Sequence, residues 1–554
     1  MSLKEIQQFT IKSIVKLPKK VVGNLIRTLL NTVEDYSAEN AKLKEDLQKS
    51  RDEVRRLKGE KGKPDIKASK EDRIDDENND GDQNKKRRSF LRRKKSKKKN
   101  KIKITRTEKA VVNRDKLPKD AEYKGTRSVV IQDLKIDLDN IRFDIERFYS
   151  PTLKKMLEGT IPAEYQGSEF GPGLRSYVLL MHYQARVPQK LLHQIITGLG
   201  IQISHGQINE ILLSSKNQIF NEEQKQMHQA AVEVSTYQQI DDTGARMDGN
   251  NIYTIVTCND DFAAFTTSLK KDRLSAIQAL LGSEPLGFIL NTTAINYMNK
   301  KISNKKLIQS LKKVCSDQIY SLKEFEANVL ESKYIPPMTK TWRKYIIEGA
   351  AIAFYRDQSP YGMKSLIADD APQFKGILEH LGLCWVHEGR HYKNLIPKHQ
   401  EFRNILDRFL NEFWKYYKQL KRYKRKPTER LKKILDKRFD QLFNPNTDYY
   451  ALNTAIKKTR AKKESLLLVL KYPEIPLHNN TSEQDIREKV IQRKIRNCFR
   501  SWRGAKASDT FLSLMATCRK QKLSFWEYIK DRVYKTNQIP TLAQIIRQQL
   551  PFVA

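Results

Sequence analysis

Cysteine is scarce in this sequence: five residues in 554, Cys258, Cys315, Cys384, Cys498 and Cys518, with no Cys-x-x-Cys pair. That spacing argues against a disulfide framework and a four-thiolate zinc site, and suits reducing surroundings. No run of about 18 apolar residues occurs, so no membrane span is expected. The first twenty residues lack the apolar centre of a secretory signal. A glycine-rich phosphate loop is missing, so nothing indicates ATP dependence. Acids are in deficit, 65 Asp and Glu against 104 Lys and Arg, a formal net charge of +39. Such an excess repels itself in a compact chain and calls for an anionic partner, of which a phosphodiester backbone is the commonest. Only 39% of residues are hydrophobic, which permits a sizeable core but leaves some segments solvated. The length allows several domains.

What is present begins with a heptad: Leu29, Val33, Tyr36, Asn40, Leu43, Leu47, Ser50, Val54 and Leu57 alternate steps of four and three. This period keeps one seam facing a partner helix, and Asn40 at an a-type position favours a dimer in fixed register. The alternative is a single solvated helix with an apolar stripe. Residues 71–82 are acidic and 85–103 are basic without an acid. Blocks of this kind are expected to stay disordered, and the basic one to grip phosphates without reading sequence. Further on, 188–199 and 204–213 read as two helices around a Gly200 turn, the second capped by Ser204. They suit either a helix-turn-helix or an ordinary helical hairpin. Runs at 234–240, 251–258 and 262–269, separated by Asp248-Gly249-Asn250 and Asn259-Asp260-Asp261, predict an antiparallel meander. A helix at 273–281 follows. The runs 364–368 and 383–386, with a helix expected at 372–381, read as β-α-β. Residues 400–470 are helical and basic, densest at 415–438.

Three acidic positions stand at element ends: Asp241 and Asp242 after the first strand, Asp369 and Asp370 after a later one, and Glu483 at the start of a helix. Carboxylates gathered from such places can hold hard divalent ions, and two ions roughly 4 Å apart suit phosphodiester chemistry. Each acid also has an ordinary reading. The aspartates can be turn formers. Glu483 can complete a capping box with Asn480 or pair with Arg487. Cys384 and His387 offer two metal ligands, too few for zinc, so His387 is expected in the core or on DNA.

At these residues the chain resembles the bacterial insertion-sequence 66 transposases, members of the DDE group. The segments QIDDTGARMDGNNIYTIVTCNDDFAAFTTS, SLIADDAPQF, CWVHEGRHY and HNNTSEQDIREKVIQRKIRNCFRSWRGAKASDTFLSLMATC resemble four family motifs in order. The likeness runs from about residue 170 to 535, with insertions. Three departures stand out. The family's cysteine-bearing ribbon is absent, the stretch before Asp369 is long, and Gln484 replaces an Arg.

The resemblance implies a ribonuclease-H-like α/β fold, a mixed sheet with helical insertions. It also implies Asp241, Asp369 and Glu483 as catalytic and metal-binding residues, with Mg2+ or Mn2+ as cofactor. The reaction would be cleavage at the ends of a mobile element followed by strand transfer into target DNA. Arg390, Arg487, Arg493 and Lys494 would bind DNA phosphates. The expected layout is an N-terminal helical, coiled-coil region (1–66), a charged linker (67–120), a helical DNA-binding region (121–225) and the first part of the core (226–290). An insertion (291–360), the second part of the core (361–398), a basic helical insertion (399–472) and a C-terminal part carrying Glu483 (473–554) follow. Expected partners are double-stranded DNA, a second copy of the chain and accessory element-encoded proteins, with no membrane, in a bacterial cytoplasm close to the nucleoid. A nuclease or resolvase that cuts without joining is one alternative. A non-catalytic nucleic-acid-binding protein, its acids serving as turns and caps, is another.

Overall fold

The computed structural model describes residues 18–57, 104–111, 118, 121–122, 126–214, 217–358 and 365–548. The acidic and basic blocks at 71–82 and 85–103 lie outside these residues, as do most of the expected linker and the side chains of Val54 and Leu57. Residues 41–141 form one compact unit and the rest of the chain another. Outside the long helix described next, the described residues of the smaller unit hold no helix or strand.

Helix α1 (Lys19–Leu57) is the first element among the described residues. The hairpin β1 (Arg147–Ser150) and β2 (Lys155–Glu158) lies where the sequence suggested only helix. Helices α2 (Pro172–Leu179), α3 (Gln189–Gly198), α4 (His205–Leu213) and α5 (Gln218–Val234) follow. The start of α4 is a capping box in which Ser204 and Gln207 satisfy each other's backbone N–H groups.

The central sheet then opens with β3 (Tyr237–Met247), β4 (Asn250–Cys258) and β5 (Ala263–Ser268). Met247 pairs with Asn250 across a two-residue loop. Asp248 (φ 46°) and Gly249 (φ 80°) take the left-handed conformations that a tight hairpin turn requires. At the next turn Asn259 Oδ1 accepts from the backbone N–H groups of Asp261 and Phe262, at 2.8 and 3.2 Å. Strand β3 is longer than its apolar run suggested, because pairing with β4 carries through to Met247. Asp241 and Asp242 therefore sit inside the strand rather than at its end.

Helix α6 (Arg273–Leu281), β6 (Phe288–Leu290), α7 (Thr292–Asn299), α8 (Lys305–Lys313), β7 (Ser316–Tyr320) and α9 (Lys340–Gln358) follow. The insertion at 291–360 is thus regular structure, and it supplies most of the apolar layer on one face of the sheet. Strand β8 (Ser365–Ala368) and β9 (His380–Leu383) complete a five-stranded sheet in the order β5-β4-β3-β8-β9. Strands β3, β8 and β9 pair in parallel, and β4 pairs antiparallel with both β3 and β5, so it alone of the five runs against the others. The helix expected at 372–381 does not form: residues 372–379 are turns and bends leading into β9. Pro372 and Gly376 (φ 78°) interrupt any helical path there.

Helix α10 (Trp385–Lys393), α11 (Gln400–Arg425), α12 (Glu429–Leu442) and α13 (Tyr450–Arg460) enclose an aromatic core around Trp385. Last come α14 (Asn480–Arg496), α15 (Trp502–Lys520), α16 (Phe525–Val533) and α17 (Leu542–Gln548). With α2–α5 they cover the other sheet face. β5 is an edge strand, yet its N–H groups are not left open. Those of Ala263, Phe265 and Thr267 are taken by Thr517 Oγ1 (3.1 Å), Ser513 Oγ (2.9 Å) and Asp509 Oδ2 (2.6 Å) of α15. Two residues of strand rise roughly 6.6 Å and four of helix roughly 6 Å, so one helix face matches one strand edge.

The first half of α1 belongs to the larger unit and makes polar contacts within it. Asn31 accepts from the Tyr450 N–H at 2.8 Å and donates to the Asp448 carbonyl at 3.0 Å. Glu34 accepts from the N–H groups of Lys398 and His399 at 2.6 and 2.8 Å. At roughly 3.6 residues per turn, these contacts lie on the side of the helix away from the heptad. Leu29, Val33, Tyr36, Leu43 and Leu47 remain exposed.

Candidate active site

Asp241 and Asp369 are placed by strand register. Tyr237, Gln238 and Gln239 pair with Ser365, Leu366 and Ile367 in parallel, so Asp369, directly after β8, comes level with Asp241 two residues further on. Neighbouring strands lie roughly 4.8 Å apart, and residues two apart share a face. Both acids therefore face away from the apolar layer that takes Ile240, Leu366 and Ala368.

Helix α14 lies along this face. The Ser482 N–H donates to buried Gln239 at 3.3 Å. Further along, Arg493 donates to the Gly244 carbonyl, and Phe499 bridges to Met247. The first turn of α14, with Glu483, thus sits beside the middle of β3. The helix has Asn479 as N-cap and no side-chain cap bond, so the capping-box reading of Glu483 with Asn480 is not what forms. Instead Glu483 faces Arg390 (3.4 Å) and His387 (3.6 Å) from the first turns of α10.

The carboxyl charges on this face act on one another. Burial pushes the Asp241 carboxyl up to about 7; the Asp242 N–H opposes the rise, and the charges of Asp369, Asp242 and Glu483 add to it. The three proposed acids do not all reach ligand spacing. Among the described residues, the one trio whose ligand atoms lie within 4.8 Å of one another is Cys384, His387 and Glu483.

The neighbouring acids are differently employed. Asp242 points to the other face of β3, where Lys271 (2.6 Å) and Gln373 (2.7 Å) hold it. Asp370 is gripped by Lys375 (2.6 Å) and Lys462 (2.9 Å). Burial opposes these contacts, but the two ammonium groups prevail and hold its carboxyl below the usual range. Among the described residues Asp369 accepts only the Ala371 N–H, at 3.1 Å.

The expected phosphate-binding residues divide. Arg487 and Lys494 are exposed on α14. Arg493 is tied to β3, and Arg390 to Glu483 and, at 3.0 Å, to His387. Sequence reasoning missed Lys271, whose ammonium is influenced by Asp242, Asp369 and Asp241 together. It follows the third strand in no motif. Lys462, which bridges Asp370 and Glu388 (3.0 Å), was missed for the same reason.

A mixed five-stranded sheet with carboxylates converging on one face, in a strongly basic chain, defines an α/β protein equipped to act on a polyanion. The description "Transposase IS66 family" matches residues 371–507, a span that includes Cys384, His387, Arg390 and Glu483 but neither Asp241 nor Asp369. The uncharacterized protein y4jO of Sinorhizobium fredii is 32% identical over 326 residues, covering 58% of this chain and 99% of that protein. The chain belongs to the IS66 family of transposases, and as a transposase it acts on DNA. Among the described residues no helix is long and apolar enough to cross a membrane.

Proposed function

We propose that this transposase is a DDE enzyme with a ribonuclease-H-like core, in which Asp241, Asp369 and Glu483 form one catalytic site. The observation that supports this is the parallel register that sets Asp369 level with Asp241 on the sheet face along which α14, with Glu483 in its first turn, is packed. Carboxylates crowded in this way favour a divalent cation, and all three offer the oxygen ligands that Mg2+ or Mn2+ prefers. Such ions would supply Lewis acidity at the attacking and leaving oxygens of a phosphodiester.

The chain's own residues prepare that chemistry. The parallel register sets Asp241 beside Asp369, and α14 holds Glu483 beside β3, from where it would join them on a shared ion. Strand alternation turns Asp242 to the other face, where Lys271 pairs with it and places a positive charge near Asp241 and Asp369. The exposed cations of α14, Arg487 and Lys494, and of the α11–α12 hairpin, including Lys418, Arg422, Arg425, Arg430 and Lys433, hold DNA phosphates without reading bases. Helices α3 and α4 present a capped second helix suited to a major groove. Cleavage at an element end frees a 3′-hydroxyl, and the same site then directs that hydroxyl at a target phosphodiester. Asp369 and Asp370 separate this reading from its alternatives. With DNA carrying the element's ends, Asp369→Asn is expected to abolish Mg2+-dependent cleavage, while Asp370→Asn keeps at least a tenth of it. Equal loss in both variants would remove Asp369 from the site. Cleavage without strand transfer by the unaltered protein would favour the nuclease reading.

The open heptad of α1 is proposed to pair two copies, holding two DNA ends together. The polar dock through Asn31 and Glu34 uses the other side of the helix, so pairing would cost no contact already made. Replacing both Leu43 and Leu47 by Asp is expected to turn a dimer into a monomer in analytical ultracentrifugation, with the circular dichroism of the larger unit unchanged. A monomeric unaltered protein would end this proposal.

A further inference from the structure

Cys384 and His387 lie three residues apart at the start of α10, Cys384 being its N-cap. That spacing puts both on one side of the helix. The partner that the sequence lacked comes from α14. Glu483 brings a carboxylate oxygen to within 4.8 Å of the sulfur and an imidazole nitrogen.

Three further observations mark the trio as a site rather than a chance polar cluster. His387 Nδ1 and Glu483 Oε1 are buried atoms without a hydrogen-bond partner, and the 3.6 Å between His387 and Glu483 is too long for such a bond. Asn479, fully buried beside them at the α14 N-cap, has neither amide atom satisfied. Burial pushes the Cys384 thiol up to about 11, but the backbone N–H groups of His387, Asn479 and Val386 point at its sulfur and oppose the rise, so a bound cation would complete the setting for a thiolate. Arg390, in contact with His387 Nε2 at 3.0 Å and Glu483 Oε2 at 3.4 Å, supplies a positive charge there. Its side chain is 39% exposed and so can swing aside.

We propose that Cys384, His387 and Glu483 bind one borderline divalent ion of the zinc class, with the fourth coordination position open. One sulfur, one nitrogen and one oxygen ligand suit a tetrahedral zinc-type ion. They do not suit Mg2+, which takes oxygen ligands in an octahedron. The site therefore selects a different metal from the carboxylate site. Because Glu483 belongs to both, filling the zinc-class site withdraws it from Asp241 and Asp369 and inhibits Mg2+-supported cleavage. Only this last consequence rests on the catalytic reading of Glu483.

The test is a Co2+ titration of the metal-free, full-length protein, followed by thiolate-to-cobalt charge-transfer absorption and by displacement with Zn2+. One equivalent is expected to produce the band. Cys384→Ser is expected to abolish it, and His387→Ala and Glu483→Gln to weaken Co2+ binding at least tenfold, with circular dichroism confirming that each variant folds. Exposed Cys315 and the partly exposed Cys498 are controlled by the Cys384→Ser variant. No band in the unaltered protein, or a band that survives Cys384→Ser, would overturn the site. A band of the expected kind together with Zn2+-insensitive cleavage would support the metal site and count against Glu483 as a catalytic residue.

Discussion

Asp241→Asn is expected to abolish DNA cleavage and, in metal-free buffer at neutral pH, to make the protein more stable. Loss of a ligand to a Lewis-acid ion removes several kcal/mol of transition-state stabilisation. At about 1.4 kcal/mol per factor of ten, that is about a 10³-fold loss of rate. The gain in stability follows from the same crowding. The folded-state carboxyl is raised from 3.8 to about 7, first by burial and then by its acidic neighbours. A raised acid holds its proton more tightly in the folded than in the unfolded state, so stability falls as pH rises from about 4 to about 7, and the deficit persists above that. Its upper bound is about 4 kcal/mol. Asparagine does not titrate. The variant should therefore have the higher melting temperature at pH 7.5 without metal, and the difference should shrink toward pH 4. Mg2+ should raise the melting temperature of the unaltered protein and leave the variant unmoved. Salt-sensitive DNA binding should persist in both. If Asp241 were only a buried strand residue, the stability gain would remain but cleavage would survive; surviving cleavage would falsify the catalytic reading.

Asp509→Ala is expected to be the most destabilising single change near the site, at about 3–5 kcal/mol. Asp509 accepts from the Thr267 N–H at 2.6 Å and from its hydroxyl at 2.8 Å, and pairs with Lys489 at 3.0 Å. Lys489 is 2% exposed; burial pushes its ammonium down, against the pull of Asp509. Removing the carboxylate leaves that ammonium buried without its counter-charge and uncaps one N–H of the edge strand. Lys489 belongs to α14, so the helix that presents Glu483 loosens with it, and cleavage should fall alongside stability. Adding Lys489→Met should recover part of the loss, because the stranded charge is then gone. Urea unfolding of the two single variants and the double variant measures the coupling. Strict additivity would show that the pair contributes nothing as a unit.

Much of this was legible along the chain because the signals were local. The Asp-Gly turn fixed the β3–β4 hairpin by its backbone requirements, and Ser204 marked the start of α4 by its cap. The acids were noticed because they lie beside apolar runs, and four motifs in order pointed to the transposase family. The failures were local signals overruled by pairing or by turn residues. Strand β3 runs past Asp241 because β4 offers hydrogen bonds as far as Met247. The stretch 372–379 turns rather than coils because Pro372 and Gly376 stand in it. Glu483 escaped its expected cap and the Arg487 pairing because α10 presents Arg390 and His387 to it.

The sequence alone determined the excess of positive charge, the periodicities of the main elements and the positions of the acids, since composition and turn chemistry act over a few residues. Only the tertiary structure decided which acids meet. Parallel pairing sets Asp369 level with Asp241, two lysines claim Asp370, and α14 sets Glu483 beside β3 and within 4.8 Å of Cys384 and His387. Most of those outcomes depend on strand register and helix packing between segments far apart in the chain, and spacing within any one segment carries no record of them.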